Sequence, residues 1–262
     1  MRACFMGIYL NPGNSGFSAI RNDIYVDKTG LIRLINEVIG TPRSLICVSR
    51  PRRFGKSFAA KMLCAYYDKT CDSSALFDDL EIFGDAQYTR HRNKYDVIYL
   101  DMTGVMGESS AEDMVPYIKR SIVRELTEEY PELEEAEGFL AILAKTVELT
   151  GNKFIVIIDE WDAPMRECGN RGNVQKTYLE FLRSLFKNSG VTDKVFAAAY
   201  MTGILPIRKN GSQSSISDFK EFSVLDPGEY AEYTGFTEDE VRGLCDSFHM
   251  DFEEARAWYD GY

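Results

Sequence analysis

The chain predicts an α/β fold built on a parallel sheet flanked by helices, and three observations carry that expectation. Five short apolar runs rich in β-branched or aromatic residues, 45–49 (LICVS), 97–101 (VIYLD), 154–159 (FIVIID), 195–201 (VFAAAYM) and 221–225 (EFSVL), are separated by longer patterned segments. The segments 57–68, 112–130, 136–149 and 173–188 show helical spacing; in the last, Tyr178, Leu179, Leu182, Leu185 and Phe186 share one face, with Lys and Glu opposite. Strand and helix thus alternate, which implies βαβ units with right-handed crossovers. Third, Gly55-Lys56-Ser57 falls between the first apolar run and the first helical segment, the place of the closing half of a phosphate-binding loop.

Taken in order, residues 11–44 open with the Gly/Asn/Pro-rich NPGNSG and continue with IYVDKTGLIRLINEVI, a turn followed by a helix. The alternating core then runs to the fifth strand. Beyond it, Thr237 with Glu240 three residues on forms a capping box and starts a helix. The expected organisation is a phosphate-loop core over 1–228, with an N-terminal extension of about 1–44, and a small helical subdomain over 229–262. The final WYDGY looks like a domain boundary or the cut end of a longer chain.

Composition narrows the classes. With 262 residues, 45% hydrophobic and 13% aromatic, the chain can bury one large α/β core or two small ones. The balance of 30 Lys plus Arg against 41 Asp plus Glu gives a net charge of -11, which argues against a surface that coats nucleic acid. The six cysteines form no C-x-x-C pair and read as reduced thiols. No apolar run approaches the ~18 residues needed to span a bilayer, and a leader-like N-terminus is lacking. A cytoplasmic, membrane-free protein is expected. His91 and His249 lie far apart without ligand-spaced partners and read as surface histidines rather than zinc ligands.

The loop Ser49-Arg50-Pro51-Arg52-Arg53-Phe54-Gly55-Lys56-Ser57-Phe58 puts three arginines and a lysine in an acidic chain. Residues Arg50 to Phe58 are the candidate nucleotide-binding set. Backbone N–H groups and the following helix N-terminus would face phosphates, Lys56 would reach the terminal ones, and Ser57 would ligate magnesium. In G-x-x-x-x-G-K-[ST] the first glycine falls where this chain has Arg50. The context strengthens the match: Phe154–Glu160 (FIVIIDE) is an apolar strand ending in two carboxylates. Asp159 there would support Mg2+ and Glu160 would polarise the attacking water, a pair that favours hydrolysis over transfer to an acceptor. The other reading is a core strand ended by solvated acids. Thr202 follows the fourth apolar run, where a hydroxyl would sense the γ-phosphate or water; the alternative is a turn. Arg208 and Lys209 sit where an arginine finger would act in cis or in trans, or in a solvated loop. Trp161, next to Glu160, is an expected fluorescence reporter of Mg-ATP.

These motifs resemble the bacterial AAA-ATPase-like proteins that often carry a C-terminal PD-(D/E)XK nuclease-like domain. The matching pieces are IYVDKTGLI (24–32), SRPRRFGKS (49–57), YDVIYLDM (95–102), IIDEWD (157–162), YMTGILPI (200–207), GFTEDEV (235–241) and WYDGY (258–262). The resemblance implies a RecA/AAA-like core of sheet order 5-1-4-3-2, with ATP as the nucleotide, and it makes Arg50 a feature of the family rather than a lesion. A nuclease-like region after WYDGY is absent, so no nuclease activity is expected of this chain. Arg52 and Arg53 then either donate to phosphate oxygens or point outward to a partner or to VDKTGL.

The functional expectation is an ATPase of low basal turnover that uses Mg2+ and regulates or drives an attached or partner effector, such as a nuclease-like domain. A homo-oligomer is compatible with it. The alternatives are a nucleotide-dependent switch or scaffold without turnover, and a DNA-associated motor or defence module.

Overall fold

The computed structural model describes residues 7–134, 136–169, 171–187, 189–207, 216 and 218–259. Among them, β1 (Leu45–Ser49), β2 (Asp96–Asp101), β3 (Phe154–Asp159), β4 (Phe196–Gly203) and β5 (Lys220–Phe222) form one sheet in the order β2-β3-β4-β1-β5. Every neighbouring pair is parallel. Read from the other edge this is the order 5-1-4-3-2 that the family resemblance implies.

The sheet is buried on both faces, and its period of two decides what each face meets. Leu45, Cys47, Ile98, Leu100, Val156 and Ile158 face one core, with side chains from α4 (Met102–Glu108), α5 (Met114–Glu129), α6 (Phe139–Thr150) and α8 (Gly172–Phe186). Ile46, Val48, Val97, Ile155, Ile157 and Tyr200 face the other, packed by α1 (Ser15–Arg21), α2 (Gly30–Asn36) and α3 (Lys56–Tyr67). Two shorter helices, α7 (Ala163–Glu167) and α9 (Ser189–Val195), flank α8 in sequence, and α10 (Glu238–Phe248) and α11 (Phe252–Tyr259) follow the sheet. The register sets Asp101 beside Asp159, Val48 beside Thr202 and Ser49 beside Gly203. The C-terminal ends of β1 to β4 therefore lie along one rim, where open parallel sheets carry ligands.

The secondary structure and burial depart from the sequence expectations in four places. β5 stops at Phe222, because this edge strand pairs only with β1 and the chain then turns through the Ser223 N–H to Asp226 carbonyl bond of 3.0 Å. Thr202 and Gly203 belong to β4 rather than following it. His91 is buried, not a surface residue: its Nδ1 lies 2.7 Å from the Tyr95 hydroxyl and the two rings stack, and burial lowers its pKa. Short helices such as α1, α4 and α7 were not legible, being too brief for a helical period to show.

The capping box at Thr237 forms: Thr237 Oγ1 accepts from the Glu240 amide at 3.3 Å, and Glu240 Oε2 accepts from the Thr237 amide at 2.7 Å. The same glutamate receives Lys28 Nζ at 2.5 Å on Oε1 and 2.6 Å on Oε2, while Nζ also donates to the Glu232 carbonyl at 2.6 Å. One side chain thus ties the segment before α2 to the start of α10. Both partners are largely shielded from water, 14% and 22% exposed. Lys28→Ala is expected to lower stability by about 1–2 kcal/mol, the range for charge-assisted hydrogen bonds with partial shielding. Urea unfolding checks it: the midpoint should fall at unchanged slope, and a cycle with Glu240→Gln should show coupling.

Candidate nucleotide-binding site

The loop leaving β1 reverses through two residues with positive φ, Arg53 at 70° and Gly55 at 72°. Glycine enters that region freely, whereas an arginine there carries strain of order 1 kcal/mol. The reversal delivers the chain into α3 at Lys56. The first i→i−4 bond described there runs from the Ala59 amide to the Gly55 carbonyl at 2.9 Å. The amides of the first turn ahead of it are the unpaired donors of a helix N-terminus, its positive end.

The arginines of the loop separate. Arg50 does not line the cavity: the residue is 4% exposed, and Nη1 donates to the carbonyls of Ser49 and Phe222, both at 2.9 Å. Its amide donates to the Gly203 carbonyl at 2.9 Å. Arg50 therefore ties β1 to both neighbours, and burial lowers its pKa. This corrects its expected place among the phosphate donors, and Pro51 likewise does not line the cavity. Pro51 instead offers its carbonyl to Lys56 Nζ at 2.9 Å. Arg52 and Arg53 are exposed and line the cavity with Phe54, Gly55, Lys56, Ser57 and Phe58.

That cavity, about 630 Å³, also receives Asp159 and Glu160 from the end of β3, so the structure brings the loop and the carboxylate pair together. Asp159 Oδ1 accepts from the Thr202 hydroxyl and from the Glu160 amide, the latter at 3.1 Å. Oδ2 takes no hydrogen bond among the described residues. Ser57 lines the same cavity, and a hydroxyl with a carboxylate oxygen is a donor set that suits Mg2+. Thr202 is fully buried and does not line the cavity. Expected as a phosphate sensor, it holds Asp159 from beneath instead.

Glu160 has φ of 53°, a left-handed backbone that turns the chain sharply after β3. Its Oε1 lies 3.6 Å from Lys56 Nζ and its Oε2 lies 2.5 Å from Arg166 Nη2. Trp161 takes the opposite side, fully buried in the core and outside the cavity lining, so it is not placed as the nucleotide reporter that its position beside Glu160 implies. Arg208 lies outside the described residues.

Several cavity residues escaped the sequence reading. Asp101 ends β2 as Asp159 ends β3, so the same rule would have found it; its Oδ1 accepts from the Thr103 and Gly104 amides at 3.0 and 3.3 Å and caps α4. Arg166, on the five-residue α7, had no sequence signal. The lining also includes apolar or aromatic side chains, those of Ile24, Tyr25 and Val26 before α2, Met62 of α3, and Tyr233, Phe236 and Leu244 after β5.

Residues 12–212 match the family described as Predicted AAA-ATPase. The chain belongs to that family. Over 243 residues it is 25% identical to the "Uncharacterized protein in vnfD 5'region" of Azotobacter chroococcum mcd 1, a match covering 91% of this chain and 45% of that protein. The chain therefore spans less than half the length of that relative. Among solved structures it is similar to the Aeropyrum pernix ORC2 protein (ADPNP-ADP complexes), with a TM-score of 0.46 at 12% identity, covering 86% of this chain and 53% of the other. It is also similar to C. elegans PCH-2, with a TM-score of 0.32 at 12% identity over 89% of this chain and 43% of that one. Among the described residues no helix is long and apolar enough to cross a membrane.

Proposed function

We propose that this member of the family binds ATP with Mg2+ and hydrolyses it slowly. The observation that carries the reading is the convergence of Lys56, Ser57, Asp159 and Glu160 on one cavity whose lining also includes apolar and aromatic side chains. A purine suits those apolar and aromatic side chains and a triphosphate suits the loop. The amides of 55–58 and Lys56 bind phosphate oxygens, and Arg52 and Arg53 add charge at the mouth. Ser57 and Asp159 hold Mg2+, which when bound neutralises charge on the phosphate oxygens. Asp159 is oriented by Thr202, and Glu160 accepts the proton of the attacking water.

In this reading residues 1–228 are the core and 229–262 a smaller helical unit that closes the base side, supported by the Gly235 amide bond to the Phe54 carbonyl at 3.1 Å and by the Lys28–Glu240 pair. The work done with hydrolysis is regulation of an effector, attached or separate. Its support is that the Azotobacter relative extends well beyond the matched region. A second reading, a nucleotide-dependent switch without turnover, draws on the cations that already occupy both oxygens of Glu160.

Calorimetric titration with Mg-ATP and a phosphate-release assay test the two together. One bound nucleotide with slow, Mg-dependent release supports the ATPase. Binding without release supports the switch, and no binding at saturating nucleotide overturns both.

A further inference from the structure

Arg166 is a cation of this cavity that neither the loop motif nor the carboxylate pair accounts for. Its guanidinium spans two carboxylates: Nη2 reaches Glu160 Oε2 at 2.5 Å and Nε reaches Asp162 Oδ2 at 3.0 Å. Nη1 lies 3.8 Å from Glu167 Oε1. Asp162 is an immobile anchor. It is fully buried and accepts from the Ile204 amide at 3.2 Å and the Leu205 amide at 2.9 Å, which fixes it to the chain beyond β4.

The two cations on Glu160 differ in what can release them. Lys56 sits 3.6 Å from Oε1 while its Nζ donates to a loop carbonyl, so it is held loosely and is free to turn to phosphate. Arg166 has no such exit, since its other nitrogen is bound to a carboxylate that is itself pinned. Each carboxylate oxygen can accept more than one hydrogen bond, so these contacts act on Glu160 by fixing where it points rather than by filling it, and charge-assisted bonds are the strong ones. The left-handed backbone of Glu160 adds to this by limiting the directions its side chain can take.

We propose that Arg166 is a positioning residue that restrains Glu160 and sets the low turnover of the site: with nucleotide bound and Lys56 on the phosphates, Oε1 is released, while the Arg166 pair on Oε2 remains and keeps the carboxylate from turning toward the water. This rests on the ATPase reading above and adds to it a built-in brake. No covalent step is added; the brake acts by a side-chain contact that limits how far the carboxylate can turn toward the water.

The test compares Arg166→Gln and Arg166→Lys with the unmodified chain in steady-state phosphate release and in Mg-ATP titration. Glutamine keeps a donor for Asp162 and removes the charge. The expected result is a kcat raised roughly three- to tenfold with KM and the binding constant changed less than about twofold, the signature of an effect on the step after binding. Lysine, a point charge that cannot bridge two carboxylates in a fork, should fall between the two. A lowered kcat would show that Arg166 assists the reaction directly, and an unchanged one that it is only structural; either overturns the proposal. If Arg166→Gln does not fold, Arg166→Lys decides by the same criterion. Should the unmodified chain bind without release, gain of release in Arg166→Gln supports the brake and its lack removes it. Failure of the unmodified chain to bind Mg-ATP removes the ATPase reading and this one with it, whereas binding with an unaltered kcat removes this one alone.

Discussion

Exchanging Glu160 for glutamine is expected to leave Mg-ATP binding within about twofold while phosphate release falls by roughly 10²–10³, the scale of losing a positioned general base. Glutamine has nearly the same shape, and its amide oxygen still accepts from Arg166, so the turn after β3 has no reason to change. What it loses is the capacity to take a proton. Lys56→Ala should behave differently. It removes the charge that lies 3.6 Å from Glu160 and is 2.9 Å from the Pro51 carbonyl, at the head of α3. Hydrogen bonds from a charged donor are worth about 1.5–3 kcal/mol, so binding should weaken roughly 10–100-fold. The pair of variants therefore separates the two roles. Calorimetry with phosphate release measures both. Equal loss of binding in the two would mean that Glu160 works as part of the binding surface, and full turnover in Glu160→Gln would move the base elsewhere.

The parts of this site that depend on local pattern were legible, and the parts that depend on which segments meet were not. The apolar strand ending in Asp159-Glu160 and the Gly55-Lys56-Ser57 turn were readable because each places its groups through its own backbone: strand end, positive φ, helix start. The side chains of Arg50 and Thr202 were misplaced for a shared reason. Both sit on the rim of the sheet, and a residue there can face the cavity or the neighbouring strand according to a register that the sequence does not contain. Arg50 is drawn to carbonyls at the ends of β1 and β5, and Thr202 to Asp159 across the β3–β4 pair. The strand runs predicted the sheet because both faces are buried, which leaves continuous apolar letters. β5, an edge strand of three residues, was overestimated because Val224 and Leu225 prolong the apolar run while standing exposed. Arg166 illustrates the limit: its partners lie four and six residues back, yet only the left-handed turn at Glu160 brings the carboxylate round to meet it.

Gly203→Ala is expected to cost about 2–3 kcal/mol, the range for forcing extra volume into a packed interior. The last residue of β4 has an ordinary backbone, so the demand for glycine here is one of room. A Cβ at this position would lie 2.7 Å from Asp162 Oδ1 and 2.7 Å from both Cδ1 and Nε1 of Trp161. Neither neighbour is the loose end of a flexible side chain. The indole is fully buried in the core, and Asp162 is held by two backbone amides and Arg166. The strain must then pass into the turn that carries Glu160, so the variant should also release phosphate more slowly. Unfolding in urea gives the measurement, followed by tryptophan emission. Trp161 is buried while Trp258 is 77% exposed, so the change in emission reports the core around Gly203. Gly243→Ala supplies the contrast. It lies inside α10, where an added Cβ meets nothing within 4 Å, and there alanine should stabilise by roughly 0.5–1 kcal/mol through helix propensity and a less flexible unfolded chain. Both substitutions narrow the unfolded ensemble alike, so a fall in midpoint at 203 with a rise at 243 assigns the loss to the contact with Trp161 and Asp162. A rise at both would mean that these side chains yield to a methyl group, and that the Asp162 anchor beneath Glu160 is softer than its hydrogen bonds imply.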